Sequence, residues 1–218
     1  MENVKAIIFD WDNTIVKSFD YLVLYHQKVS QQLGWSPKTN EQIGAVWGRP
    51  FEELIQELWP EHSSKDFSMA YQEHIRGVTI PEVKGAATAI KRLKGLFPLG
   101  IVTAAPRFEV EHFLTQLRLK KEDFFLIQAA DESKHQKPDP RVFDLLIALL
   151  QEWNIRKSEI LYIGDSLIDF HAAQGAYLQF IAVLTGSTDR EQFQAAGVST
   201  QNILHSIIEL PRRLRMKC

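Results

Sequence analysis

The sequence predicts an α/β protein built on a doubly wound parallel sheet, with an all-helical insert after the first strand. Three observations carry this. From Gly85 onward short apolar runs alternate with helical patterns, which signals a parallel sheet covered by helices. An apolar run at residues 4–9 has the length of a buried strand but finds partners only in that later region. Residues 19–76, between the two, are helical in pattern throughout.

Taken in order, strand 4–9 opens into a loop at Asp10. In the insert, Tyr21, Leu22, Leu24, Tyr25, Val29 and Leu33 recur at helix-face spacing, and Gly34 supplies a stop. Phe51, Leu54, Ile55 and Leu58 form a second face ended by Pro60, and Phe67, Tyr71, His74 and Ile75 a third. Trp35, Trp47 and Trp59 all fall here and are expected to form the insert's core. Next come helix 86–96, strand 99–102, helix 108–117 and strand 124–128. A helix with Asp139 as N-cap and Pro140 at its first position then runs to about residue 153. Strand 160–163, helix 168–175, strand 180–184 and a helix from about residue 190 complete the pattern. The expected organisation is a core of residues 1–16 plus 80–218 and a helical domain at 17–79, with linkers near 16–18 and 77–81. There is no internal repeat or low-complexity tract.

At 218 residues the chain can bury a sizeable core without staples. Its 25 basic and 27 acidic side chains supply no field to hold nucleic acid or an anionic membrane, so a small-molecule partner is expected. Cys218, the single cysteine, allows neither an intramolecular disulfide nor a thiolate metal cluster, which points to a reducing compartment. The N-terminus enters a strand at once and no apolar run reaches membrane-spanning length, so a cytoplasmic location is expected. The basic end, Arg212, Arg213, Arg215 and Lys217, reads as a solvated helix terminus. The seven histidines, with no metal-ligand spacing, read as structural.

The chemistry concentrates in four segments. Asp10 and Asp12 stand two residues apart where the first strand opens, so that one can attack while the other moves protons. Taken alone, Asp10 can be a nucleophile, a metal ligand or a turn residue. A second acidic pair, Asp165 and Asp169, follows the apolar run 160–163. Four carboxylates at strand ends imply a metal, and an oxygen-rich site that retains water suits Mg²⁺. Between the pairs lie Thr103, ending a strand with a hydroxyl, and Lys137, just before a helix start. Ligands of an open parallel sheet sit outside the carboxyl ends of its strands, where Asp10, Thr103, Lys137 and Asp165 would converge.

DWDNT at residues 10–14, Thr103, Lys137 and GDSLID at residues 164–169 resemble, in order and strand context, the four motifs of the haloacid dehalogenase superfamily, over most of the chain. The resemblance implies a Rossmann-like core with an inserted helical cap, and a phosphatase. It makes Asp10 the nucleophile that becomes an aspartyl phosphate and Asp12 the acid and base. An Asp at position 12 favours phosphate monoesters, because the dehalogenases and phosphonoacetaldehyde hydrolases of the superfamily lack it. Thr103, with the N–H groups of Ala104 and Ala105, and Lys137 would bind the phosphate. Mg²⁺ would be held by Asp10, the backbone carbonyl of Asp12, Asp165 and Asp169, the last directly or through Ser166 or water; Ser166 is also a candidate N-cap. Gly48-Arg49-Pro50 resembles the cap loop that inspects the substrate, with Arg49 offering a cation. Asn13 replaces the more common Gly and tolerates a left-handed backbone, and Lys17-Ser18 replaces the common Asp-Ser. The nearest resemblance is to phosphoglycolate phosphatases, so the expected substrate is a small phosphorylated metabolite of phosphoglycolate or sugar-phosphate type. A phosphosugar mutase is the alternative within the superfamily. Outside it stand an inactive scaffold and a phospho-acceptor module of receiver type, the latter opposed by its shorter chain and mid-chain acceptor.

Overall fold

The structure, a computed structural model, describes residues 3–214; Arg215, Lys217 and Cys218 lie outside the described residues. Six strands, β1 Ala6–Phe9, β2 Leu99–Val102, β3 Leu126–Gln128, β4 Ile160–Gly164, β5 Gln179–Val183 and β6 Ile203–Leu204, form one sheet in the order β3-β2-β1-β4-β5-β6. Every pairing is parallel. The central β1 is AIIF, apolar without alternation, because both of its faces are covered. Ile7 and Phe9 join one apolar cluster and Ala6 and Ile8 the other, the period of two that a strand imposes. Helices α5 Ala86–Leu93 and α6 Arg107–Gln116 cover the first face. Helices α7 Asp144–Glu152, α8 Leu167–Gly175 and α9 Arg190–Ala195 cover the second. A short α10 Leu210–Arg213 packs against α5. β6 was not visible in the sequence, since two residues carry no periodicity.

Between β1 and β2 lie α1 Phe19–Gln32, α2 Asn40–Val46, α3 Phe51–Leu58 and α4 Ser64–Ile75. α1 packs on α2 and α4, and α3 on the same two. Gly34 stops α1 in the left-handed region at φ 72°. Thr39 caps α2, accepting the Gln42 N–H at 3.1 Å, and Ser63 caps α4, accepting that of Asp66 at 3.3 Å. Such a cap stabilises by about 1 kcal/mol, whereas each fully buried large apolar side chain, such as Phe67 or Ile55, contributes about 2–3 kcal/mol, so packing decides where these helices sit. Their apolar residues belong to the same cluster as the β1 face that α5 and α6 cover.

Two sequence expectations need correction here. The buried face of α1 is Leu22, Val23, His26, Val29 and Ser30, while Tyr21 and Leu24 are exposed. The face is rotated because His26 fits among the rings of Trp47, Phe51, Phe67 and Tyr71, displacing the more apolar choices. Of the three tryptophans only Trp59 is fully buried, its indole N–H donating to the Ser36 carbonyl at 2.7 Å. Trp35 stacks on His62 with ring centroids 4.3 Å apart, and Trp47 borders a cavity.

The two connections to the insert pair with each other. The Lys17 N–H donates to the Pro81 carbonyl at 2.9 Å and the Val83 N–H to the Ile15 carbonyl at 2.8 Å, flanking an antiparallel bridge between Val16 and Glu82. At the other end of the described chain, the Arg213 Nε–H donates to the Gln201 carbonyl at 3.0 Å, so this arginine is engaged and not merely solvated.

His26 has a consequence for stability. Its Nδ1–H donates to the Leu22 carbonyl at 2.8 Å, which leaves Nε2 bare, buried and without a partner. Burial lowers its pKa from 6.5 to about 4. The unfolded chain therefore takes up a proton below about pH 6.5 and the folded one only near pH 4, so stability falls as pH drops through that window. Between pH 7 and 5 this group should remove about 2 kcal/mol. Urea unfolding at the two pH values should show that loss in the native protein and not in His26→Leu; equal losses would mean that another group drives the acid sensitivity.

Candidate active site

β1 stands at the point where the strand order reverses, since the chain continues to β2 on one side and β4 lies on the other. Crevices form outside the strand ends at such a point. Asp10 follows β1 and Asp165 follows β4, and the Asp10 N–H donates to the Ile163 carbonyl at 2.8 Å, tying the two ends together. The loop then turns sharply. The N–H groups of Thr14, Ile15 and Val16 all point at the Trp11 carbonyl, at 3.3, 2.9 and 3.3 Å. Asn13 takes φ 52°, the left-handed conformation that the usual Gly of the motif would adopt without strain.

Asp10, Asp165 and Asp169 are buried, and each offers an oxygen within 4.8 Å of the others. Lys137 enters this cluster from the other side. Its Nζ donates to Asp10 Oδ1 and Asp169 Oδ1, both at 2.6 Å, and to the Tyr162 hydroxyl at 3.1 Å. The loop that delivers Lys137 is fixed by side chains bonding to backbone. Gln128 Nε2 donates to the Val142 carbonyl at 2.7 Å, and Gln136 Nε2 to the Ala130 carbonyl at 2.9 Å. Asp139 caps the turn Pro140–Phe143, accepting the Arg141 N–H at 2.9 Å.

Asp169 lies in the first turn of α8. Its Oδ2 accepts the Ser166 hydroxyl at 2.6 Å and the Ser166 N–H at 3.2 Å, while Ser166 Oγ accepts the Asp169 N–H, a reciprocal cap of the helix. Sequence reasoning missed Tyr162, which reads as a core aromatic within β4. Its hydroxyl lies 3.0 Å from both Asp169 Oδ1 and the Val102 carbonyl, closing the site from beneath. It also missed why Gly164 and Gly186 are glycines. A Cβ on Gly164 would come within 2.5 Å of the Asp169 side chain, and one on Gly186 within 1.7 Å of Asp165 Oδ2. Gly164 directly precedes Asp165 in the chain, whereas Gly186 lies far beyond that motif and only the fold brings it there.

Electrostatics follow from burial. Desolvation, joined by the charge of Asp169, raises Asp10 to about 7 against the pull of Lys137. Asp165 is raised well above the carboxylate range by burial and by Asp10 and Asp169, and burial also raises Asp12. Burial alone would lower Lys137; the carboxylates of Asp10 and Asp169 outweigh it and hold the ammonium well above its ordinary value. Three crowded carboxylates against one lysine leave an excess of negative charge on hard oxygen donors, the donor set that suits a hard divalent cation.

These groups open into a cavity of about 620 Å³ between the strand ends and helices α1 and α2. Asp12 and Ala104 border it, and Asp12 Oδ1 is buried without a partner. Thr103 is buried just past the end of β2. Its Oγ1 accepts the Ala105 N–H at 3.0 Å, a local bond typical of a buried threonine, which leaves the hydroxyl proton to donate. Arg49 lies in the turn before α3. Its guanidinium pairs with Glu57 on the exposed side of the insert and does not border the carboxylate cavity, because an acidic partner on the next helix competes for it. A narrower cavity beside the first contains Glu109 of α6, which accepts the Tyr71 hydroxyl of α4 at 3.1 Å, a buried bond between insert and sheet layer.

Comparison with known proteins agrees with this geometry. The profile of the haloacid dehalogenase-like hydrolase family matches residues 7–183, which include all four motif segments. A phosphoglycolate phosphatase of Photobacterium profundum is 30% identical over 203 residues, 85% of each chain. Pyrophosphatase PpaX of Anoxybacillus flavithermus is 26% identical over 180 residues, 80% of each chain. CbbY of Rhodobacter sphaeroides, solved in complex with phosphate, has the same fold, with a TM-score of 0.78 at 24% identity over 95% of this chain and 96% of that one. With its motif residues gathered at one strand-end crevice and its family matched over most of its length, the chain belongs to the haloacid dehalogenase-like hydrolases.

Proposed function

We propose that the protein hydrolyses phosphate monoesters of small alcohols, using Asp10 as nucleophile and Mg²⁺ as cofactor, with residues 17–79 acting as a cap over the site. The observation that carries this reading is the seat of Asp10. It stands at the switch point, 2.6 Å from the Lys137 ammonium and among the carboxylates of Asp165 and Asp169, at the floor of a cavity large enough for a small phosphate ester. The phosphatases and the pyrophosphatase among the relatives support phosphoryl chemistry.

Asp10, Asp165 and Asp169 would hold the Mg²⁺, with the carbonyl of Asp12. When bound, the cation supplies the positive charge that offsets the approach of one anion to another. An oxygen of Asp10 attacks phosphorus in line with the alkoxide, the bond from phosphorus to the alkoxide breaks, and the Asp12 carboxyl gives its proton to the departing oxygen. The raised pKa of Asp12 suits it to hold that proton beforehand. Asp12, now ionised, then takes a proton from the water that attacks the aspartyl phosphate, and the bond from Asp10 to phosphorus breaks to release inorganic phosphate. Lys137 balances the charge of Asp10 and steadies Asp169, and the Thr103 hydroxyl with the Ala104 N–H donates to phosphoryl oxygens.

The two motif carboxylates should fail in different ways. Incubated with an aryl phosphate and Mg²⁺, Asp10→Asn should show no added phosphate by intact mass, whereas Asp12→Asn should accumulate the phosphoprotein as its dephosphorylation slows. A phosphorylated Asp10→Asn protein would place the nucleophile elsewhere.

Gly186→Ala tests the metal assignment, because its Cβ would occupy the place of Asp165 Oδ2 and push that carboxylate away. The Mg²⁺ concentration that half-saturates aryl phosphate hydrolysis should rise at least tenfold, or about 1.4 kcal/mol, with cooperative unfolding retained. An unchanged half-saturation would remove Asp165 from the metal site.

A further inference from the structure

The cavity wall that faces away from Asp10 has an unexpected charge. It is made by Phe19 and Asp20 of α1, Asn40, Glu41 and Gly44 of α2, and Trp47 and Gly48 of the following turn. No lysine or arginine of the insert borders it among the described residues. In total six carboxylates, Asp10, Asp12, Asp20, Glu41, Asp165 and Asp169, face one ammonium, Lys137, which already binds two of them. Asp20 and Glu41 form no ion pair among the described residues. Each stands in the first turn of its helix and complements that helix dipole, and each is solvent-exposed where its residue borders the cavity. Arg49, which follows Gly48, borders the neighbouring cavity, which shares Asp12, Trp47, Gly48 and Ala104 with this one, and pairs at the surface with Glu57.

A wall of this kind repels the free carboxylate of a hydroxy-acid phosphate such as phosphoglycolate. An ammonium in the same position meets two carboxylates and the aromatic pair of Phe19 and Trp47, whose ring centroids lie 5.2 Å apart in an edge arrangement. The phosphoryl end is unaffected by the choice, since Lys137 and the metal site receive it. We infer that the cavity takes phosphate monoesters whose leaving group carries a positive charge, those of amino alcohols or amino sugars, in preference to those of hydroxy acids, an inference that rests on the phosphohydrolase reading above.

A matched series isolates the effect: O-phosphoethanolamine, 2-hydroxyethyl phosphate and 2-phosphoglycolate differ only in ending on an ammonium, a hydroxyl or a carboxylate. With Mg²⁺, kcat/KM should fall in that order, by at least tenfold from first to last; any other order overturns the inference. In Asp20→Asn/Glu41→Gln the ratio of the ammonium to the carboxylate member should drop at least fivefold, and because it is a ratio within one protein, partial misfolding cancels. A ratio held at the native value also overturns it. p-Nitrophenyl phosphate separates the two levels. Its hydrolysis with the wrong order refutes the leaving-group assignment alone, while no hydrolysis of any of the four esters refutes the phosphohydrolase reading and this inference with it.

Discussion

The Lys137 ammonium, buried between Asp10 and Asp169 at 2.6 Å from each, is the interaction on which the rest of the site depends. It joins three segments that are distant in sequence: the end of β1, the loop after β3, and the first turn of α8. Without it the carboxylates would face one another in a desolvated crevice. Removing one partner of a buried ion pair typically costs about 3–5 kcal/mol, which exceeds any single cap or surface contact in the molecule. The hydrogen bonds from Tyr162 and Ser166 to Asp169 complete the arrangement, so each of that residue's oxygens is occupied.

Even so the cluster is not neutral. Burial, joined by the neighbouring carboxylates, raises Asp10 to about 7 and shifts Asp165 upward despite the pull of Lys137. The same crowding that disfavours the bare site gives it the donor set that suits a hard divalent cation. The glycines at 164 and 186 make the crowding possible by leaving room where any side chain would collide.

Much of this was legible in the sequence, for physical reasons. The alternation of apolar runs and helices is a direct consequence of covering both faces of a parallel sheet, so β1, β2, β4 and β5 could be read to within two residues. Asp10, Lys137, Asp165 and Asp169 were visible because strand ends converge, and the structure does bring them together. What could not be read depends on neighbours remote in the chain. The rotation of α1 toward His26, the place of Trp47 at a cavity wall, the capture of Arg49 by Glu57 and the hydroxyl of Tyr162 beneath the site are all set by tertiary packing. Local periodicity contains no term for any of them.

The paired linkers have a broader consequence. The chain leaves the sheet layer at Ile15 and Lys17 and returns at Pro81 and Val83 with those backbones hydrogen-bonded to each other. Seen from β1 and α5, everything between is a loop whose ends are already clasped. Closing a loop costs only about 0.6 kcal/mol more for each doubling of its length, so a segment of quite different size could be spliced in at this clasp without loosening the sheet. The clasp thus lets the length of the inserted segment vary at little entropic cost to the strands that it joins.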